Sequence, residues 1–265
     1  MDTVFSAFGN TDFFYEMGFD SSLEMPGYLK SVGLNGYEYS LEDGVHISDD
    51  SCEILKQECE KNQIELSVYS GKLFTSLSES VLIAKKTGAK RVIVPLGNCA
   101  VTSRKAVYNS ALSEMKNALL NDCNIFLCPE IMGLIHDLGT LEEIIKLSGE
   151  DERFIPALNF PNLFARNNGK KLDCEDILNI FKTIEKKLGK EKLNNIHIYL
   201  SNVQYTNHGL KKYTDFSDKE GNDFDYKPVV NAVIKMKISP FIVCRSPYNC
   251  YNEAVEIKNY YNKEI

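Results

Sequence analysis

The strongest constraint on this chain is a repeated rhythm: a short apolar run ends on a polar or turn residue, and a stretch with helical spacing follows. The runs are 4–8, 36–40, 64–69, 91–97, 125–133, 154–160, 195–201 and 241–245. Near-continuous hydrophobicity of this kind marks strands covered on both faces, as in a parallel sheet. Between the runs lie stripes at helical spacing, such as Val107, Ala111, Met115 and Ala118, or Ile177, Phe181, Ile184 and Leu188. Ser48, Thr140 and Asp173 stand where N-caps are expected. Strict alternation without a linker predicts an α/β fold, a single-domain (β/α)8 TIM barrel over residues 1–265. A long polar loop is expected between Ser201 and Asp225.

In such a barrel the carboxyl ends of the strands converge on one face, which carries the chemistry. The run from Ile125 to Gly133 would deliver the carboxylate of Glu130 there. The length of 265 residues and 43% hydrophobic content suit one large core, and the net charge of −7 argues against a general nucleic-acid binder. The eight cysteines show no CxxC spacing, and several sit inside apolar runs, as free thiols do in a reducing, cytoplasmic setting. No apolar run is long enough to span a membrane, and Met1-Asp2-Thr3 does not open a secretory leader.

Several segments also resemble a known family, in order along nearly the whole chain. Phe8-Gly9, Phe14 to Gly18, Gly33 to Tyr39 and Gly44 to Ser48 are similar to the opening of the endonuclease IV proteins, within the wider xylose-isomerase-like barrel superfamily. Leu66-Ser67-Val68, Glu130 to Gly133, Asn159 to Arg166, His197 to Ser201, Asp223 to Tyr226 and Arg245-Ser246-Pro247 continue the similarity. The resemblance implies a zinc cluster, held by histidines and carboxylates at the strand ends, that cleaves DNA at abasic sites. Position by position, however, most of the implied ligands are replaced. The first histidine reads Tyr69, the His-Pro pair reads Val94-Pro95, and the sixth-strand Asp and His read Asn159 and Asn162. A later Asp-x-His falls near Lys211 and Tyr213, and the final glutamate reads Arg245. Glu130 and His197 alone match as ligands, and a cation at position 245 would repel a dication. Lys72 stands where the family has an aromatic residue that enters the duplex, and Asp43 where it has an arginine, so DNA binding is doubtful.

The leading expectation is a divergent barrel without zinc or nuclease activity and without a required cofactor. Its mouth would be formed by Tyr69, Lys72, Glu130, Asn159, Asn162, His197 and Arg245, and a Glu130–Arg245 ion pair would take the metal's place. Arg245 with Lys72 suits a small anionic or phosphate-bearing ligand. The alternative is a residual metal-dependent enzyme, a DNA-repair phosphodiesterase or a sugar isomerase or epimerase, with zinc or another divalent ion on Glu130 and His197. Metal-free acid–base chemistry would make the same two residues the catalytic candidates, with Tyr69 as a proton donor. A third class is a protein–protein scaffold using Phe13-Phe14-Tyr15 or the tyrosines at 248, 251, 260 and 261. Cys244 is expected in the wall between strands and helices, and Cys99 has no evident partner histidine.

Overall fold

Strands buried on both faces must be covered by helices on one side and by each other's side chains on the other, which is the geometry of a closed parallel sheet. A computed structural model describes residues 2–42, 47–71, 73–119, 124–219 and 224–265. The strands β1 (Val4–Phe8), β2 (Gly36–Ser40), β3 (Glu65–Tyr69), β4 (Arg91–Val94), β5 (Phe126–Pro129), β6 (Ala157–Asn159), β7 (His197–Leu200) and β10 (Phe241–Cys244) form one sheet. All of its ladders are parallel, and its spatial order is β5-β4-β3-β2-β1-β10-β7-β6. Between the two ends of that order, parallel bridges Leu127–Phe154 and Glu130–Ala157 close the ring. The expected (β/α)8 barrel is therefore present.

Helices α1 (Asp12–Glu16), α2 (Met25–Ser31), α3 (Asp49–Asn62), α4 (Leu73–Thr87), α5 (Arg104–Ala118), α6 (Leu141–Ser148), α7 (Phe160–Arg166), α8 (Cys174–Leu188), α9 (Lys190–Asn194), α10 (Lys227–Met236) and α11 (Cys250–Glu264) accompany the strands. Ser48, Thr140 and Asp173 each accept a backbone N–H as N-caps, as expected. The outward strand residues, among them Val68, Val92, Leu127, Ile198 and Ile242, pack against the helical stripes. The inward residues form a separate cluster of Val4, Tyr69, Ile93, Cys128, Ala157, Tyr199, Phe241 and Val243. At its floor the wall is tight: a Cβ on Gly36 would lie 2.5 Å from Val4 Cγ1 and 2.8 Å from Ser6 Cβ.

Several strands are shorter than the runs read from the sequence, β4 ending at Val94, β5 at Pro129 and β6 beginning at Ala157, and two differences shape the mouth. The sixth strand stops at Asn159 instead of Phe160, because the Asn159 side chain accepts the N–H of Asn162 and caps α7, with Pro161 in the first turn. The expected loop after β7 begins with an antiparallel hairpin, β8 (Asn202–Thr206) and β9 (Gly209–Thr214). Its apolar side chains Val203, Tyr205, Leu210 and Tyr213 pack with Phe164 and Ala165 of α7. Gly209 is required at its turn: φ is +99°, and a Cβ there would lie 2.1 Å from the carbonyl oxygen of Gly133. The hairpin thus lies across the mouth and brings β9 over the strand ends.

Candidate functional site

Arg245, the residue after β10, turns into the mouth and is 8% exposed. Its guanidinium carbon lies 4.3 Å from the ring centres of both Phe8 and Tyr69, 4.8 Å from Tyr213 and 5.4 Å from Tyr199. A planar, weakly hydrated cation is well suited to such an aromatic cage. Nη1 donates to Glu130 Oε1 at 3.2 Å, and Nη2 donates to Glu42 Oε1 at 2.9 Å. Burial works against the charge, but Tyr213, Tyr69, Glu130 and Glu42 more than offset it and hold the guanidinium's pKa well above its usual value. The expected Glu130–Arg245 pair is present.

Glu130 follows β5 and is 1% exposed. Oε1 also accepts Asn159 Nδ2 at 2.7 Å, and Oε2 accepts the Tyr69 hydroxyl at 2.9 Å. Burial raises its pKa, and Arg245, Asn159 and Tyr69 only partly counter the rise. The second Asn159 amide hydrogen reaches Tyr213 Oη at 2.9 Å, and that hydroxyl donates to Asn162 Oδ1 at 2.8 Å. Asn162 Nδ2 donates to the Ile131 carbonyl. Tyr69, Glu130, Asn159, Asn162 and Arg245 thus stand in one connected network, with Tyr213 as its sixth member.

His197 is elsewhere. It is the first residue of β7, level with Ala157 and Phe241, and its ring stacks on Phe241 at 5.1 Å. Inward positions on a strand recur every second residue, about 6.6 Å along it. Tyr199, level with Asn159, therefore takes the place near the mouth, and His197 lies one layer below. Its carboxylate neighbour is Glu38, with Nε2 3.2 Å from Oε2 but without hydrogen-bond alignment, and Nδ1 has no hydrogen-bond partner. The expected acid–base pairing of His197 with Glu130 is corrected to this deeper contact. Burial lowers the imidazole's pKa despite the neighbouring carboxylate. On Glu38, burial pushes the carboxyl up, but His197 and the hydroxyls of Tyr199 and Ser67 outweigh it and leave the pKa lowered. Lys72, Asp43 and His46 lie outside the described residues. Cys244 packs in the outer wall as expected.

Beside Arg245 a cleft of about 560 Å³ runs over the ends of β1 and β2 toward α1. Aromatic rings (Phe8, Tyr15, Tyr37, Tyr39, Tyr213) and small polar groups (Asn10, Thr11, Ser22, Ser40, Ser246) line it, with Arg245 and Glu42 as its charged groups among the described residues. On one wall the Ser246 hydroxyl donates to buried Glu253 of α11, which also accepts the Phe216 N–H. Burial, against those hydrogen bonds, raises Glu253 to about 7. Sequence reasoning missed Glu38, Glu42, Tyr199 and Glu253. A charged residue in mid-strand, as at Glu38, was the available signal for the first of them.

Both oxygens of Glu130 are occupied, and a guanidinium stands against one of them. Among the described residues no group of three or more His, Cys, Asp or Glu side chains is placed to hold a metal ion, so these donors do not fit a zinc cluster. No described helix is long and apolar enough to cross a membrane.

The fold has many relatives. Endonuclease IV from Thermus thermophilus superposes with a TM-score of 0.69 at 14% identity, covering 99% of this chain and 100% of that one. A xylose isomerase domain protein from Planctomyces limnophilus gives 0.69 at 8% identity, covering 100% and 98%. D-psicose 3-epimerase from Clostridium cellulolyticum gives 0.64 at 11%, covering 99% and 95%. In sequence, the chain is 25% identical over 248 residues to the uncharacterized protein MJ0133 of Methanocaldococcus jannaschii, covering 88% of this chain and 89% of that protein. A model of the xylose isomerase-like TIM barrel family matches residues 27–260. With the eight-stranded parallel ring, that match means that the chain belongs to the xylose isomerase-like TIM barrel family.

Proposed function

We propose that the mouth of this barrel is a metal-free binding site for a small ring-bearing molecule with an anionic group, and that the nuclease chemistry of the endonuclease IV branch is lost. The observation that carries this reading is Arg245: a caged, permanently charged guanidinium at the floor of an aromatic, hydroxyl-lined cleft. Guanidinium edges pair well with carboxylate or phosphate, while tyrosine faces accept a ring. Convergent polar groups in an apolar-walled concavity are the usual form of a small-molecule site.

The alternative, a metal-dependent phosphodiesterase or sugar epimerase, draws support from the named activities of the structural neighbours. It requires several donors at the strand ends, where this chain sets Glu130 beside a cation and two amides. Titration of the protein with sugar phosphates and sugar acids, with and without chelator, tests the choice. Saturable binding that resists chelator and is lost in Arg245→Met is the expected result. Cleavage of an abasic duplex, or sugar epimerisation, that appears only with added divalent metal would overturn the proposal.

A further inference from the structure

Two carboxylates share the guanidinium of Arg245, and they are held very differently. Glu130 is 1% exposed and is fixed by Asn159 and Tyr69 as well as by Arg245. Glu42, two residues beyond β2, has a side chain 43% exposed, and among the described residues its carboxylate is held by Arg245. Its oxygen occupies Nη2 of the guanidinium, and both residues line the cleft.

We infer that Glu42 is a resident stand-in for the ligand's anionic group: it occupies the Nη2 edge of Arg245 when the cleft is empty and yields it to the carboxylate or phosphate of a ring-bearing ligand. This rests on the binding role proposed above and adds the residue that sets its affinity and selectivity. The exchange is electrostatically balanced for a singly charged ligand, because one anion leaves the guanidinium as another arrives and Glu130 stays in place. A partly exposed carboxylate returns to water at little cost, whereas release of Glu130 would leave a charge buried. The ring of the ligand would lie beside Tyr15 and Tyr213, the tyrosines of this cleft that keep an accessible face, next to the position that its anion takes. The competitor also discriminates. A neutral sugar has no group to displace Glu42, so the resident contact favours charged ligands over their uncharged parents.

A self-ligand that must leave lowers the apparent affinity by the fraction of molecules in which the edge is free. Removing its charge should restore that factor. Glu42→Gln and Glu42→Ala are compared with the intact protein by calorimetric titration with ribose 5-phosphate and with glucuronate, which separate a phosphate from a carboxylate source. Ribose and glucose serve as uncharged controls, and Arg245→Met as the variant without the guanidinium. Both Glu42 variants are expected to bind at least one of the anionic probes roughly three- to tenfold more tightly, since a partly exposed pair of this kind is weak. The uncharged sugars should respond little to either change, and Arg245→Met should lose the anionic probes. Equal or weaker anion binding in both Glu42 variants, with Arg245→Met still defective, overturns the stand-in role and leaves the binding site intact. Anion binding that is indifferent to Arg245→Met, or undetectable in all four proteins, overturns the binding role itself and this inference with it.

Discussion

Arg245 and Glu130 are 115 residues apart in the chain, yet Nη1 of one lies 3.2 Å from Oε1 of the other, inside a cage of four aromatic rings. A buried pair is costly to break from one side, because the remaining charge is then unpaired in a poor solvent. Arg245→Met is expected to lose about 3–5 kcal/mol of stability in urea unfolding. Combining it with Glu130→Gln should recover a substantial part of that loss. Additive losses would show that the two residues do not act as a pair.

Tyr213 Oη is both acceptor and donor, from Asn159 and to Asn162. Tyr213→Phe keeps the ring beside Arg245 but leaves an amide hydrogen and an amide oxygen without their partners in a buried network. A loss of about 1–3 kcal/mol is expected, measured by denaturant unfolding. A neutral effect would mean that the hairpin rests on the mouth by apolar packing alone.

Glu253 gives the clearest dependence on pH. Its carboxyl is raised from 4.5 to about 7, chiefly by burial. Between those values the folded chain holds a proton that the unfolded chain has released, so this group's contribution falls as pH rises toward 7. Glu253→Gln should therefore flatten the decline in stability between about 4.5 and 7 and be relatively stabilised at the upper end, measured by thermal unfolding across pH. Glu38 acts in the opposite sense: its pKa is lowered, so its contribution is present at neutral pH and is lost on acidification. An unchanged slope in Glu253→Gln would contradict the assignment.

Gly36 tests the floor of the barrel. Gly36→Ala forces a methyl group against Val4, Ser6 and the ring of Phe241, which lies 3.1 Å from the added carbon. Overpacking of this kind costs about 1–3 kcal/mol, and calorimetric melting should register it. The same change at exposed Gly18 meets no atom within 4 Å, but there φ is +93°, so any cost would come from backbone strain alone.

Most of the architecture was legible because it follows from periodicity. Each buried parallel strand leaves a continuous apolar run, and each covering helix leaves a stripe and a cap. The mouth was legible at Glu130 because strand ends must converge, and at Tyr69, Asn159, Asn162 and Arg245 because the resemblance to endonuclease IV sets them at its ligand positions. What escaped was depth and local chemistry. His197 and Tyr199 share an inward face, and only the register with Ala157 and Asn159 shows which one reaches the mouth. The hairpin at 202–214 was hidden because its few apolar residues, Val203, Tyr205, Leu210 and Tyr213, are scattered among polar ones over a short span that composition reads as polar loop. Glu42 was invisible because its role comes from a contact with a residue 203 positions away.

The proposed function puts the Arg245 guanidinium, and no metal ion, beside Glu130 at the barrel mouth. Elemental analysis of the protein purified without chelator, beside Glu130→Gln prepared in the same way, tests it most directly. Substoichiometric zinc, manganese and iron in both preparations is the predicted result. Near-equimolar transition metal that disappears in Glu130→Gln would contradict it.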